Sequence, residues 1–157
     1  MSLKIELRYA ILSALILLLF LILEFVAGFQ DTLIAYHPYV SLLAFIIPVF
    51  TYRMALIEKI DQKFGKLTLA QAVFCGLITT LFFCILVIPV QLAFHQLINP
   101  DFFSNMILYA VKTGKQTPEH AALFFNLKTY IIESVLGFFV VGLIISVILG
   151  FRMRTIN

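Results

Sequence analysis

TPEHAALFFNLKTYIIESVLGFFVVGLIISVILGFRMR, residues 117–154, is the stretch whose reading decides the fold. Thr117 is a helix-capping residue type, Pro118 suits a first helical turn, and Glu119 favours the positive end of the helix dipole. The pattern predicts one long helix from Thr117 to Arg154. Its part from Tyr130 to Phe151 is almost wholly apolar, and at about 1.5 Å per residue it crosses a bilayer core of about 30 Å. Gly142, Ser146 and Gly150 recur at every fourth position, a small-residue stripe along which a second helix can approach closely.

The rest of the chain has the same character. It is 157 residues long, 62% hydrophobic and only 12% charged, with a mean hydropathy of +1.08. A soluble core of ordinary composition does not absorb that much apolar surface. The expected class is all-α: a polytopic membrane protein, a four-transmembrane-helix bundle forming a single membrane domain over residues 1–157. The spans are predicted at about Tyr9 to Phe29, Tyr39 to Ile57, Leu69 to Phe94 and Tyr130 to Phe151. Lys4 and Arg8 ahead of an apolar run resemble a secretory leader. However, the run resumes after Glu24, no Ala-x-Ala site follows, and more membrane segment comes next, so the first span is expected to stay.

The connections carry the punctuation. Gln30 to Pro38 is short and makes the first two spans an antiparallel pair. Glu58 to Lys66 is charged, and Thr68 with Gln71 forms a capping-box pattern that starts the third span. Arg53 is expected to reach towards the interface as the second span ends. Pro48 and Pro89 each remove a backbone donor, so bends are expected in spans two and three. The long link from His95 to Thr129 contains a short interfacial helix at about 100–113, begun by Asn99-Pro100-Asp101 and stopped at Gly114. That helix lies either in the membrane interface or against the outer end of the bundle.

Lysines and arginines orient the chain. With the N-terminus inside, eight face the cytoplasm (Lys4, Arg8, Arg53, Lys59, Lys63, Lys66, Arg152 and Arg154) and three lie outside (Lys112, Lys115 and Lys128). The positive-inside rule therefore puts both termini in the cytoplasm. This bias accounts for the net charge of +3, and nothing in it signals nucleic acid.

Two sets of residues stand out as functional candidates. The first is for helix packing: Ala72, Gly76, Thr80 and Cys84 repeat at four-residue spacing on span three, as Gly142, Ser146 and Gly150 do on span four. Such stripes either hold the two helices together within one chain or form an oligomer seam. The second is a candidate polar site of Glu24, Glu133, Gln91 and His95, all at the outer end of the predicted topology. Carboxylates within a membrane are candidate functional groups, and two that met would repel one another. Their plain alternative is to reach headgroups or Lys128. His37, His95 and His120 share that outer side, but no metal-ligand spacing joins them. Cys75 and Cys84 sit nine residues apart on one helix, face opposite ways and cannot pair. No phosphate loop, nucleophile elbow or Cys-x-x-Cys occurs, and no histidine lies at haem-ligating depth within a span. No catalytic residue, metal or cofactor is assigned, and no enzyme is expected.

Phe64-Gly65-Lys66-Leu67-Thr68-Leu69-Ala70-Gln71-Ala72, Ile98-Asn99-Pro100-Asp101-Phe102, Thr117-Pro118-Glu119 and Val141-Gly142-Leu143-Ile144-Ile145-Ser146 with its basic tail resemble an uncharacterised family of short bacterial membrane proteins. It is catalogued as a four-helix domain of unknown function and is common in Bacteroidetes-type Gram-negative bacteria. The resemblance implies a four-span protein of the bacterial inner (cytoplasmic) membrane with both termini inside, and brings no activity or substrate. The residues by themselves favour a non-catalytic protein acting through helix packing, as an accessory or scaffold subunit or a homo-oligomer. Its partners would be the bilayer and either further copies or another membrane protein. The alternative is a small oligomeric transporter or channel using the membrane carboxylates. A metal-assisted enzyme built on the outer histidines is a third and weaker possibility.

Overall fold

A computed structural model describes residues 3–154; Met1, Ser2 and residues 155–157 of the expected single domain lie outside the described residues. Every regular element described is helical. In order they are α1 (Lys4–Val26), α2 (His37–Val40), α3 (Ile46–Gln62), α4 (Leu69–Ala93), α5 (Phe102–Lys112), α6 (Pro118–Phe124) and α7 (Leu127–Met153), with 3-10 stretches at Ile34–Tyr36 and Ser41–Phe45 and a π-turn at Phe94–Ile98. Among the described residues, four helical segments of 23, 29, 30 and 27 residues are long and apolar enough to cross a membrane. The first, third and fourth contain α1, α4 and α7; the second joins α2 and α3 through Ser41–Phe45.

Several boundaries depart from those expected. The first span begins at Lys4 rather than Tyr9, because Ile5 and Glu6 are already buried under the second span. It ends at Val26, ahead of Phe29, where Gly28 adopts φ +80° and its carbonyl accepts from Leu33 at 2.8 Å, turning the chain. The second span runs five residues past Ile57, because Glu58 and Lys59 find partners on α1 instead of remaining in an aqueous connection. Pro48 falls in the first turn of α3, and the departure from α geometry lies just before it. Proline there removes a donor and crowds the preceding turn. Pro89, by contrast, lies inside a continuous α4, and the irregular turn follows at Phe94–Ile98.

The start of α4 falls at Leu69. Gln71 N donates to Thr68 Oγ1, and Thr68 N donates back to Gln71 Oε1, both at 3.3 Å, a reciprocal cap. The long helix expected from Thr117 to Arg154 is two helices. Thr117 caps only the short α6, and Asn126 separates the pair. Asn126 has extended backbone; its Nδ2 donates to Leu123 O at 2.8 Å, while its Oδ1 accepts from Thr129 N at 3.0 Å. One side chain thus closes α6 and caps α7. α5 is found at the expected place and buries Phe102 and Ala110.

In the bundle α4 packs along α7 and α1, and α3 closes the square against α1 and α7. One buried cluster gathers Ile5, Tyr9, Tyr52, Leu56, Cys75 and Leu149 at the end nearest both described termini. A second gathers Leu17, Leu21, Phe83, Val87, Phe94 and Phe138 towards the other end. We refer to these as the near end and the far end.

Between α4 and α7 the two small-residue stripes face each other. A Cβ built on Gly76 would lie 2.7 Å from Ser146 Cβ, one on Gly142 would lie 2.6 Å from Thr80 Cγ2, and one on Gly150 would lie 2.7 Å from Val73 Cγ2. Thr80 Oγ1 donates to Gly76 O at 2.8 Å and Ser146 Oγ to Gly142 O at 2.6 Å. The hydroxyls are therefore satisfied within their own helices, and the stripes meet through dispersion contacts. Close packing of this kind holds helices together where lipid supplies no hydrophobic drive.

Candidate functional site

At the far end the packing opens into a cleft of about 300 Å³. Three features of the chain create it. The 3-10 stretch Ser41–Phe45 interrupts the α-helix of the second span, the break at Asn126 separates α6 from α7, and α5 contributes Phe102 and Met106 to the lining. Leu17, Leu21, Ala44, Phe45 and Phe138 make an apolar floor, while Phe102, Met106, Phe124 and Phe125 form the roof. The exposed lining residues Leu42, Phe124 and Glu133 mark a mouth at the side of the bundle, between the second span and α7.

The back wall is polar. Glu24, His37 and Gln91 line it and are only 2, 3 and 2% exposed. Gln30 Nε2 donates to Glu24 Oε2 at 3.4 Å, and Asn99 Nδ2 donates to Gln30 Oε1 at 2.8 Å, so one carboxylate oxygen is held from behind. Glu24 Oε1 faces His37 Nδ1 across 3.8 Å, beyond hydrogen-bonding distance. Gln91 Nε2 donates to Ser134 Oγ at 3.3 Å. Among the described residues no partner is found for Glu24 Oε1, His37 Nδ1 or Gln91 Oε1. Tyr130 Oη lies 3.4 Å from His37 Nε2. Buried polar atoms are normally paired, and an unpaired one costs about 1–3 kcal/mol. Three such atoms belong to residues that line this single cleft.

The four polar candidates are thus distributed unequally. Glu24 and Gln91 share the back wall, and Glu133 stands on the exposed rim. His95 is buried behind the cleft, with ring centroids 4.9–5.2 Å from those of Phe94, Phe102, Phe103 and Tyr130. His37 and Tyr130, not among the chosen site residues, complete the cleft; their signal was the chain order, which brings both to the depth of Glu24. Gln30 and Asn99, which support the carboxylate, gave no signal beyond being polar residues beside helix ends. His120 is exposed on α6 and lies outside the cleft lining, and among the described residues no group of three potential metal ligands forms. Ala72, Gly76, Thr80, Cys84, Gly142, Ser146 and Gly150 are all buried. The glycine contacts run between α4 and α7, while Cys84 Sγ lies 3.6 Å from Val135 O on α7.

A family model described as "Protein of unknown function (DUF4199)" matches residues 8–155. The chain belongs to this family. The match takes in the cleft residues of all four long segments together with most of the near end. No curated protein and no solved structure matches the chain.

The near end of this DUF4199 protein is built differently. Lys59 Nζ donates to Glu6 Oε1 at 2.5 Å, with Glu6 fully buried and Lys59 nearly so, while Glu6 Oε2 has no partner among the described residues and the pair lines a second cavity of about 380 Å³. Arg8 pairs with Glu58, which also accepts from Tyr9 Oη at 3.1 Å. Ser13 Oγ donates to Thr51 Oγ1 at 2.8 Å, joining α1 to α3 further in. Here charge meets charge across the first two spans, and the residues that carry it act as structural clamps.

Proposed function

We propose that this multi-pass membrane protein is a non-catalytic binding protein whose far-end cleft takes the head of an amphipathic molecule arriving from the bilayer. A single observation carries the reading: three buried polar atoms without partners surround a side-opening cavity whose other walls are apolar. A volume of about 300 Å³ is at the small end of ligand pockets, suited to a headgroup whose tail remains in lipid. In this reading the far end is the outer one and both termini are cytoplasmic, as the lysine and arginine bias favours. The accessory-subunit or homo-oligomer reading drew on the small-residue stripes. Those stripes are occupied between α4 and α7, so a partner helix would need a different surface.

The test is to extract the protein from native membranes in a nonionic detergent and weigh it by native mass spectrometry. Wild type is expected to retain a small amphiphile in stoichiometric amount, and Ser41→Phe, which fills the cleft from its wall, to lose it. Equal retention by the folded variant overturns the reading.

One observation favours a second reading, a small transporter or channel. The wall formed by Ser41–Phe45 is 3-10 rather than α, a break in the regular helix within a span. Flux in proteoliposomes should then fall to background when Glu24 and Glu133 are both changed to glutamine. Undiminished flux would remove the carboxylates from any transport role.

A further inference from the structure

The unpaired atoms also define what the occupant must offer. Glu24 Oε1 and Gln91 Oε1 are acceptors, and His37 Nδ1 is a third whenever Nε2 carries the proton facing Tyr130. The lining carries two carboxylates, Glu24 on the back wall and Glu133 on the rim, and among the described residues no lysine or arginine lines the cleft. Lys128, on the same helix as Glu133, is exposed and outside the lining. Phe45, Phe102, Phe124, Phe125, Tyr130 and Phe138 supply aromatic walls, whose ring faces attract cations.

From this we infer that the cleft selects a primary ammonium group carried by an amphiphile. The inference rests on the binding function proposed above and assigns its ligand class. An ammonium has three N–H donors and no acceptor, which matches three acceptors and a negative wall. Glu24 Oε1 and His37 Nδ1, 3.8 Å apart, are close enough for one nitrogen to reach both at ordinary hydrogen-bond lengths of about 2.8–3.0 Å. A headgroup offering only acceptors, such as a quinone ring or a carboxylate, would face oxygen with oxygen and leave the same atoms unpaired. Attraction to the aromatic walls and the carboxylates acts on the charge, so a neutral head of similar size gains only part of the binding.

Two sources supply this chemistry, a long-chain amine and the aminoethyl head of phosphatidylethanolamine. The experiment titrates the full-length protein in nonionic detergent with dodecylammonium, dodecanol and dodecanoate, and separately with phosphatidylethanolamine and phosphatidylglycerol, following bound species by native mass spectrometry. Dodecylammonium is expected to bind at least about tenfold more tightly than dodecanol and dodecanoate, and Glu24→Gln to shrink that preference to about twofold or less. Where the lipid is the source, phosphatidylethanolamine exceeds phosphatidylglycerol by a similar factor. If Glu24→Gln fails to fold, Glu133→Gln on the exposed rim serves instead, with the ammonium preference falling about threefold. Dodecanol or dodecanoate binding as tightly as dodecylammonium overturns the ammonium assignment and leaves the binding function standing. Failure of every amphiphile to saturate the cleft overturns both.

Discussion

The two ends of the bundle bury similar chemistry and differ in whether a lysine or arginine stands against the carboxylate. At the near end Lys59 stands against Glu6, whose Oε2 is unpaired beside a cavity of about 380 Å³, and Glu58 pairs with Arg8 and Tyr9. At the far end Glu24, His37 and Gln91 also keep a polar atom each without a partner beside a cavity, but among the described residues no lysine or arginine lines it. A buried carboxylate with a lysine against it joins helices, whereas one beside open space that no lysine or arginine lines is available to a cation from outside. The difference separates groups that hold the fold from groups that the fold holds ready.

The largest expected effect comes from breaking the near end. Lys59→Met leaves Glu6 buried without its cation and should cost about 3–5 kcal/mol of stability in reversible unfolding in mixed micelles. Replacing both partners, Glu6→Leu with Lys59→Met, should recover most of that loss. A single change that proved silent would end the view of this pair as a clamp. Gly76→Leu tests the helix seam that joins the two ends: its side chain meets Ser146, and a loss of about 2–3 kcal/mol is expected in the same assay. Cross-linking of α4 to α7 would report whether the loss arises at that seam.

Asn126→Ala is smaller. It removes the cap of α7 and the closure of α6, at about 1 kcal/mol, and faster hydrogen exchange around residues 127–130 should accompany it. The smallest effect should come from the far end. Glu24→Gln removes a carboxylate held by only one weak side-chain hydrogen bond, so stability should change by less than about 1 kcal/mol. A loss as large as that of Lys59→Met would erase the contrast between the ends and make the far-end carboxylate structural.

Much of the architecture is legible in the sequence, and the features that are not share a cause. Four apolar runs announced four spans, and Thr68 with Gln71 placed the start of α4, because a capping box is local chemistry completed within four residues. The break at Asn126 was hidden by Phe124 and Phe125 before it and Leu127 after it; hydropathy follows side chains, while the break is an event of the backbone. Lys59 read as a loop cation because its partner Glu6 lies 53 residues away. Glu24, Gln91 and His95 could be assigned a depth from their place in the spans. Which way each faced depended on helix rotation, and rotation is set by the neighbours.

What the sequence determined by itself is the class of object, its four crossings and the residues that end or begin several helices, because transfer into lipid and helix capping are settled within a single segment. What only the tertiary structure decided is partnership. Gly76 was turned to Ser146 and Lys59 to Glu6, while Glu24 was turned towards a cavity where His37 stops 3.8 Å short of it. In lipid the apolar faces of a helix are nearly equivalent, so close packing and the pairing of a few polar groups choose its rotation. Those choices separate the end where a lysine meets the buried carboxylate from the end where the carboxylate lines a cleft without one.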